Sequence, residues 1–285
     1  MEEKVKTYLD CLPCFMNQAL RVGRIATTDE KKIKELLDSV GATIKDFSLD
    51  NTPPEMGNII YQKIREITGV NDPYKKIKEA NINEALSLYP KLKEIVRKSE
   101  NSLLTAVRIA IAGNIIDFGV NKKFNIANHF LEILEQNFAI MDFDKFVEQL
   151  EKANSVLYLG DNAGESVFDK ILIEELGKPV TYVVRDIPVI NDVTEKDAVD
   201  SGIDEVAEII SSGTSAPGTI LSLCSDDFSE RFYNADMIIS KGQGNYEGLS
   251  DIMRSVFFLL ITKCPVIAND LNVKEDDIVL KGINL

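Results

Sequence analysis

The chain has little of what marks a secreted, membrane-spanning or nucleic-acid-binding protein. Four cysteines, Cys11, Cys14, Cys224 and Cys264, are all that 285 residues contain, too few and too scattered for a disulfide scaffold. Positive charge is scarce: 32 Lys and Arg stand against 46 Asp and Glu, a formal net charge of -14. That field repels nucleic acid and anionic membranes, and no Lys/Arg cluster offsets it locally, so neither is expected as a partner. Long apolar runs are missing too; SVFFLLIT at 255–262 is among the longest and falls well short of a bilayer span. Met1 to Lys6 is charged and no apolar segment follows, which reads as no secretory leader and a cytoplasmic location. Internal repeats, low-complexity stretches and a disordered linker are not found. What remains, 45% apolar and 27% charged residues, is a globular composition in a chain long enough for two domains.

The first half reads as helices. In DCLPCFMNQALRVGRIA, Asp10 is a cap, Pro13 fits the first turn, and Leu12, Phe15, Met16, Ala19, Gly23 and Ala26 share one face. Thr27 and Glu30 have capping-box spacing ahead of a stripe of Ile33, Leu36, Leu37 and Val40, with Gly41 as the stop. PPEMGNIIYQKIREITG opens on Pro-Pro and closes at Gly69, and helical patterns follow over 82–98, 102–117, 126–138 and 142–153. From Ser155 the period changes. Short β-branched runs at 155–159, 180–184, 206–210, 236–240 and 265–269 alternate with helical stretches at 166–176, 195–201, 217–233 and 246–262. This alternation predicts a parallel, doubly wound α/β sheet. The expected division is an all-helical domain over 1–150 and an α/β domain over 151–285.

In such sheets ligands bind beyond the carboxyl ends of the strands. The loops on that rim carry Gly160-Asp161-Asn162-Ala163-Gly164-Glu165, then RDIPVINDVT with Arg185, Asp186, Asn191 and Asp192, then SSGTSAPGT, then KGQGNYEG with Lys241. Loops on the other rim, such as LGKP, are ordinary connections. Asp161, Asn162 and Asp192 offer oxygen donors with no His or Cys close by, a set suited to Mg²⁺ or Mn²⁺. The plainer alternative is a turn followed by a helix cap, for which Asp and Asn are equally apt. A helix starting after Gly164 would aim N–H groups at the rim, and Lys241 would add a cation, both favouring an anion such as phosphate. A metal beside an anion pocket describes phosphoryl chemistry.

In IAIAGNIIDFG, Asn114 and Asp117 lie three apart on an otherwise apolar helix, which points them to an interdomain cleft or to a structural cap. Cys11 and Cys14 form a C-x-x-C whose readings are a packed helix start, a redox dithiol or half a zinc site lacking partners at short spacing. The single His129 reads as an ordinary helix residue.

Taken together, DCLPCF at 10–15, AGNIIDFG at 112–119, LGDNAGE at 159–165, RDIPVINDVT at 185–194 and SKGQGNYE at 240–247 resemble the DUF89 family, also called ARMT1-like or damage-control phosphatases. The N-terminal C-x-x-C is similar to its small prokaryotic members. The resemblance covers essentially the whole chain. It implies a helical N-terminal region packed on a Rossmann-like, mostly parallel sheet with a divalent metal at the junction, held at Asp161, Asn162 and Asp192. It also implies a substrate cleft lined by Asn114, Asp117 and Lys241. With Glu165, Arg185 and Asn191 added, these form the expected substrate set; Asp161, Asp192, Lys241, Asn114 and Asp117 are the expected catalytic residues. The implied activity is a metal-dependent phosphatase acting on small phosphorylated metabolites, sugar phosphates or phosphopantetheine-like compounds, using Mn²⁺, Mg²⁺, Co²⁺ or Ni²⁺. Two alternatives stand beside it: an S-adenosylmethionine-dependent carboxyl methyltransferase, since VLYLGDNAGE has the look of a strand–Gly-loop–Glu cofactor motif, and a non-enzymatic metal-binding module.

Overall fold

The computed structural model describes residues 5–116 and 134–285. The N-terminal part forms helices α1 (Cys11–Ala26), α2 (Glu30–Asp46), α3 (Pro53–Thr68), α4 (Lys75–Lys98) and α5 (Ser102–Ala112). Helix α3 starts where local chemistry favours it: Thr52 and Glu55 form a reciprocal capping box, a proline occupies the first turn, and Gly69 ends it at φ +74°. The expected box at Thr27 and Glu30 does not form. Asp29 caps α2 instead, accepting the Lys31 N–H at 2.9 Å, while the Thr27 hydroxyl accepts from the Asp29 N–H. Helix α2 also runs through Gly41 to Asp46, because a glycine without a tertiary need for φ above zero costs a helix only about 1 kcal/mol. Asp117, His129 and most of the helix expected over 126–138 lie outside the described residues.

The α/β part comprises β1 (Phe138–Met141), α6 (Phe143–Lys152), β2 (Val156–Leu159), α7 (Ser166–Leu176), β3 (Val180–Val184), α8 (Glu195–Asp200), β4 (Glu208–Ser211), α9 (Asp226–Asn234), β5 (Met237–Lys241), α10 (Gln243–Leu249), β6 (Val256–Ile261), α11 (Pro265–Leu271) and β7 (Ile278–Ile283). The seven strands line up as β1-β7-β6-β5-β2-β3-β4; β7 is antiparallel to β6 and every other neighbouring pair is parallel.

Two sequence expectations change here. VFFLLI at 256–261 is a fully buried strand, not the end of a helix, and PVIANDL at 265–271 is a helix, not a strand. Periodicity cannot separate a six-residue apolar run into strand or helix; its aromatic and β-branched content favours strand, and Pro265 suits a helix's first turn. The stretch 217–233 is helical in regular α form only from Asp226.

Residues 1–150 are not one all-helical unit. Strand β1 sits on the sheet edge, and α4 and α5 pack with α7 over one sheet face, against Val156, Tyr158, Tyr182, Ile239 and Phe257. Leu157, Leu159, Ile238 and Phe258, from the alternate positions, face α9, α10 and α11 on the other side. Helices α1 to α3 hold a separate core of Phe15, Val22, Leu36, Ile60 and Tyr61, joined there by Val189 from the loop after β3. Phe15 of α1 and Pro54 of α3 line one cavity with Asp161 and Asp192, so these helices lie beside the carboxyl ends of β2 and β3.

Candidate active site

Strand order reverses between β2 and β5: the chain steps outward from β2 to β3 and β4, then returns to place β5 on the other flank. The crevice at such a switch is the expected ligand position in an open α/β sheet. Two turns meet there. Asn162 and Asp192 pair as an isolated antiparallel bridge, the Val193 N–H donates to the Asp161 carbonyl at 2.8 Å, and the Ala163 N–H donates to the Asn191 carbonyl at 2.8 Å. Backbone bonding therefore brings Asp161, Asn162, Asn191 and Asp192 together, and all four line one cavity of about 600 Å³.

The loop carrying Asp192 is fixed from behind. Arg185, 2% exposed, donates from Nε to Asp192 Oδ2 at 2.8 Å, from Nη2 to Asn245 Oδ1 at 2.9 Å and from Nη1 to Thr219 Oγ1 at 3.3 Å. Past Asp192 the chain enters α8 through a Thr194–Asp197 capping box, and the buried Lys78 of α4 holds Asp197 at 2.7 Å and Asp72 at 3.0 Å.

Asp161 is pressed against a glycine. A Cβ on Gly242, whose φ is +79°, would lie 2.0 Å from Asp161 Oδ2, so only glycine lets the two turns approach. Asn114 Nδ2 donates to Asp161 Oδ2 at 2.9 Å and Glu165 Oε2 at 2.8 Å; Asn162 Nδ2 makes the same two contacts at 2.9 and 3.0 Å. Burial, then the negative charges of Glu165 and Asp192, push the Asp161 carboxyl well above its ordinary range; Lys263 and Arg185 act against this.

Lys241 has a different place from the one its position at a strand end suggests. It is fully buried, and its Nζ donates to the Ala110 carbonyl at 2.8 Å, Glu165 Oε1 at 2.5 Å and Asp169 Oδ1 at 2.6 Å. The hydroxyls of Tyr158 and Tyr182 converge on Asp169 at 2.7 and 2.8 Å. Burial lifts the Asp169 carboxyl to about 6 despite Lys241, while the two carboxylates hold the lysine above its usual value against the opposing effect of burial. Lys241 thus compensates buried carboxylates beneath the cavity floor.

Of the sequence-derived residues, Asn114, Glu165, Arg185 and Lys241 stand behind the cavity wall, in contact with those that line it or with each other. Asp186 is exposed, accepting from Ser211 Oγ at 3.0 Å away from the cleft. At the start of α7, the N–H groups of Glu165 and Ser166 are donated to the Asn162 carbonyl, and those of Phe168 and Asp169 to the Glu165 carbonyl.

The cavity also has a wall whose residues are scattered in sequence. Cys11, Cys14, Arg21, Glu247, Lys263 and Cys264 line it. Lys263 and Cys264 follow β6, a strand whose apolar run has the look of a helix, so their place on the rim is not evident from the sequence. Among the described residues, no three His, Cys, Asp or Glu side chains are grouped to hold a metal. The oxygen set at issue has two carboxylates and an amide, which suits a hard cation rather than a thiophilic one. The buried Asn114 Oδ1 beside it accepts no hydrogen bond among the described residues.

A doubly wound sheet with an acidic, oxygen-rich cavity at its switch point defines a small-ligand α/β protein. Within that class, the profile of the damage-control phosphatase ARMT1-like domain matches residues 7–279, and the chain belongs to that family. It is 33% identical over 282 residues to a damage-control phosphatase of Pyrococcus horikoshii, covering 96% of this chain and 97% of the relative. A damage-control phosphatase of Archaeoglobus fulgidus is 32% identical over 283 residues, covering 96% and 98%. The crystal structure of the Pyrococcus horikoshii DUF89 protein matches with a TM-score of 0.86 at 33% identity, over 96% of this chain and 98% of the other. Among the described residues, no helix is long and apolar enough to cross a membrane.

Proposed function

We propose that this chain is a metal-dependent phosphomonoesterase acting on small phosphorylated metabolites, a damage-control phosphatase like its named relatives. The observation that carries the reading is the joining of two loops: Asp161-Asn162 and Asp192, thirty residues apart in sequence, are bridged by backbone bonds and open onto one cavity. Asp161, Asn162 and Asp192 would hold the divalent ion. When bound, such an ion draws charge from phosphate and acidifies water.

The protein's own groups set the stage for that chemistry. Arg185 and Asn245 fix the orientation of Asp192, and Asn114 holds Asp161 and Glu165 at a set spacing. Lys241 pairs with Glu165 and Asp169 without entering the cavity. The cationic groups on the cavity wall itself are Arg21 and Lys263, and they are the groups placed to meet phosphate oxygens. The apolar part of the wall, including Phe15, Pro54 and Pro217, suits the carbon skeleton of a small metabolite.

The test is hydrolysis of a panel of sugar phosphates, phosphopantetheine and simple phosphomonoesters with Mn²⁺, Mg²⁺, Co²⁺ or Ni²⁺. Chelation, Asp161→Ala and Asp192→Ala should each remove activity by about a thousandfold or more, the scale of losing a principal electrostatic element. Turnover that survives all three would end the proposal. A cation bound calorimetrically with no turnover on any ester would favour a binding module instead.

A further inference from the structure

Glu247 is a cavity carboxylate that the proposed ion site leaves unused. It stands on the second turn of α10, is 9% exposed, and shares the cavity with Asp161, Asn162 and Asp192. Its Oε1 accepts one hydrogen bond, from Gln243 Nε2 at 2.9 Å, and among the described residues no cation pairs with it. The same Nε2 reaches Cys264 Sγ at 3.4 Å, and the Gln243 amide oxygen accepts the Lys263 N–H at 2.9 Å. One neutral amide thus ties the carboxylate to the loop after β6.

The groups around Glu247 keep it short of charge compensation. The thiols of Cys11 and Cys14 on α1 and of Cys264 ahead of α11 face it. Helix α3 presents Pro53, Pro54 and Gly57 to the cavity, none of them titratable. Lys241, at the end of β5, is committed to Glu165 and Asp169. The other charged groups on the wall are Asp10, Asp161, Asp192, Arg21 and Lys263. A carboxyl among thiols and prolines, oriented by one amide, is favoured in its protonated form. Burial pushes it up to about 7, the Gln243 bond pulling the other way.

We infer that Glu247 is the general acid of the reaction, the group that protonates the departing alkoxide as the phosphate ester is cleaved. The inference rests on the phosphatase reading above. The P–O bond to the alcohol breaks with its electron pair left on the alcohol oxygen, and the Glu247 proton closes that oxygen to a hydroxyl. The oxygen of a water molecule forms the new P–O bond, one of its protons staying with the phosphate and the other restoring Glu247. One ester and one water give one alcohol and one phosphate. General acids need a pKa near the working pH, and an ordinary exposed glutamate lacks it.

Leaving-group dependence tests this. The substrates are 4-nitrophenyl phosphate, whose leaving group needs no proton, and an alkyl phosphate that the wild type cleaves, whose leaving group does. Glu247→Gln should lower kcat/KM on the alkyl ester by about a hundredfold or more and on the aryl ester by only a few-fold. In the wild type, the alkyl rate should fall as pH rises through about 7 while the aryl rate does not. That second measurement needs no variant to fold. Equal losses on both esters, no loss on either, or wild-type profiles that do not differ would overturn the assignment. A wild type that cleaves no phosphomonoester with any of the four ions would overturn the phosphatase reading itself, and the assignment with it.

Discussion

The two sides of the cavity are built on opposite plans. Behind Asp161 and Asp192, buried polar groups are densely paired: Lys241 with Glu165 and Asp169, Arg185 with Asp192, Thr219 and Asn245, and both tyrosine hydroxyls with Asp169. Across the cavity, Glu247 and Cys264 share a single amide, and Cys11 and Cys14 add thiols at the start of α1. Ionisable groups stand on both sides. The difference is compensation. On the paired side, polar groups are held by several hydrogen bonds each, which suits oxygens that must keep their place around an ion. On the thiol side, burial opposed by a single neutral amide governs the protonation of Glu247, which suits a group that must exchange a proton.

The sharpest way to break this contrast is to remove the cation from the paired side. Lys241→Met leaves Glu165 and Asp169 facing each other in the interior, and losing one partner of a buried ion pair costs about 3–5 kcal/mol. Chemical denaturation near neutral pH should show a loss on that scale, and adding Glu165→Gln should recover part of it. A single substitution costing under about 1 kcal/mol would mean that the carboxylates are already neutral and the network carries little charge.

The fold and site were unequally legible for reasons visible in particular residues. The alternation from Ser155 onward, the Gly-Asp-Asn turn and the INDVT loop are local patterns, and they placed β2, β3 and the Asp161–Asn162–Asp192 set correctly on one rim. Lys241 was local in position but not in meaning. Its partners lie at the start of α7, where the cap residue Glu165 and Asp169, four residues apart and hence on one side of the helix, were a readable signal that a buried cation was needed. The thiol wall was not readable. Cys11 and Cys14 meet Cys264 only because α1 packs over the strand ends, and taking VFFLLI as helix removed the loop that presents Lys263 and Cys264.

Glu247 probes the other side of the contrast through stability rather than activity. Its carboxyl sits at about 7 in the fold against 4.5 for the unperturbed group. Between those values the folded state keeps a proton that the unfolded chain has released, so stability falls as pH rises through this window and levels off above it. Glu247→Gln removes the group, so the variant should gain on the wild type across the same window, by about 3 kcal/mol in all. Urea midpoints at pH 5 and pH 8 read the difference directly. A gap that does not widen with pH would show that Glu247 ionises freely, and the two walls would then differ less than their hydrogen bonds suggest.

Gly242→Ala tests how closely the two turns must approach. The backbone there, at φ +79° and ψ 161°, is one that residues with a Cβ avoid, and the added carbon falls on the Asp161 carboxylate. The strain should cost about 1–3 kcal/mol. Activity should fall by far more than the fraction unfolded, because Asp161 is displaced while Asp192, anchored by Arg185, is not. Loss of activity no greater than loss of fold would indicate that the spacing of the two turns is slack.

The smallest effect expected is the one that separates being on the rim from being in the site. Asp186 and Asp192 belong to one loop and carry the same charge, and by composition alone nothing ranks one above the other. The structure does: Asp192 is 3% exposed and bonded to Arg185, whereas Asp186 is exposed and its side chain accepts a hydrogen bond from the Ser211 hydroxyl. Asp186→Asn keeps the shape and an acceptor for that hydroxyl while removing a solvated charge, a change that is ordinarily worth no more than about 0.5 kcal/mol. Thermal unfolding and ester hydrolysis should both match the wild type within error. A large drop in hydrolysis at unchanged stability would mean that the field of the whole rim, and not the enclosed pairing behind Asp161 and Asp192, sets the reactivity of the cavity, and the division between its two walls would lose its force.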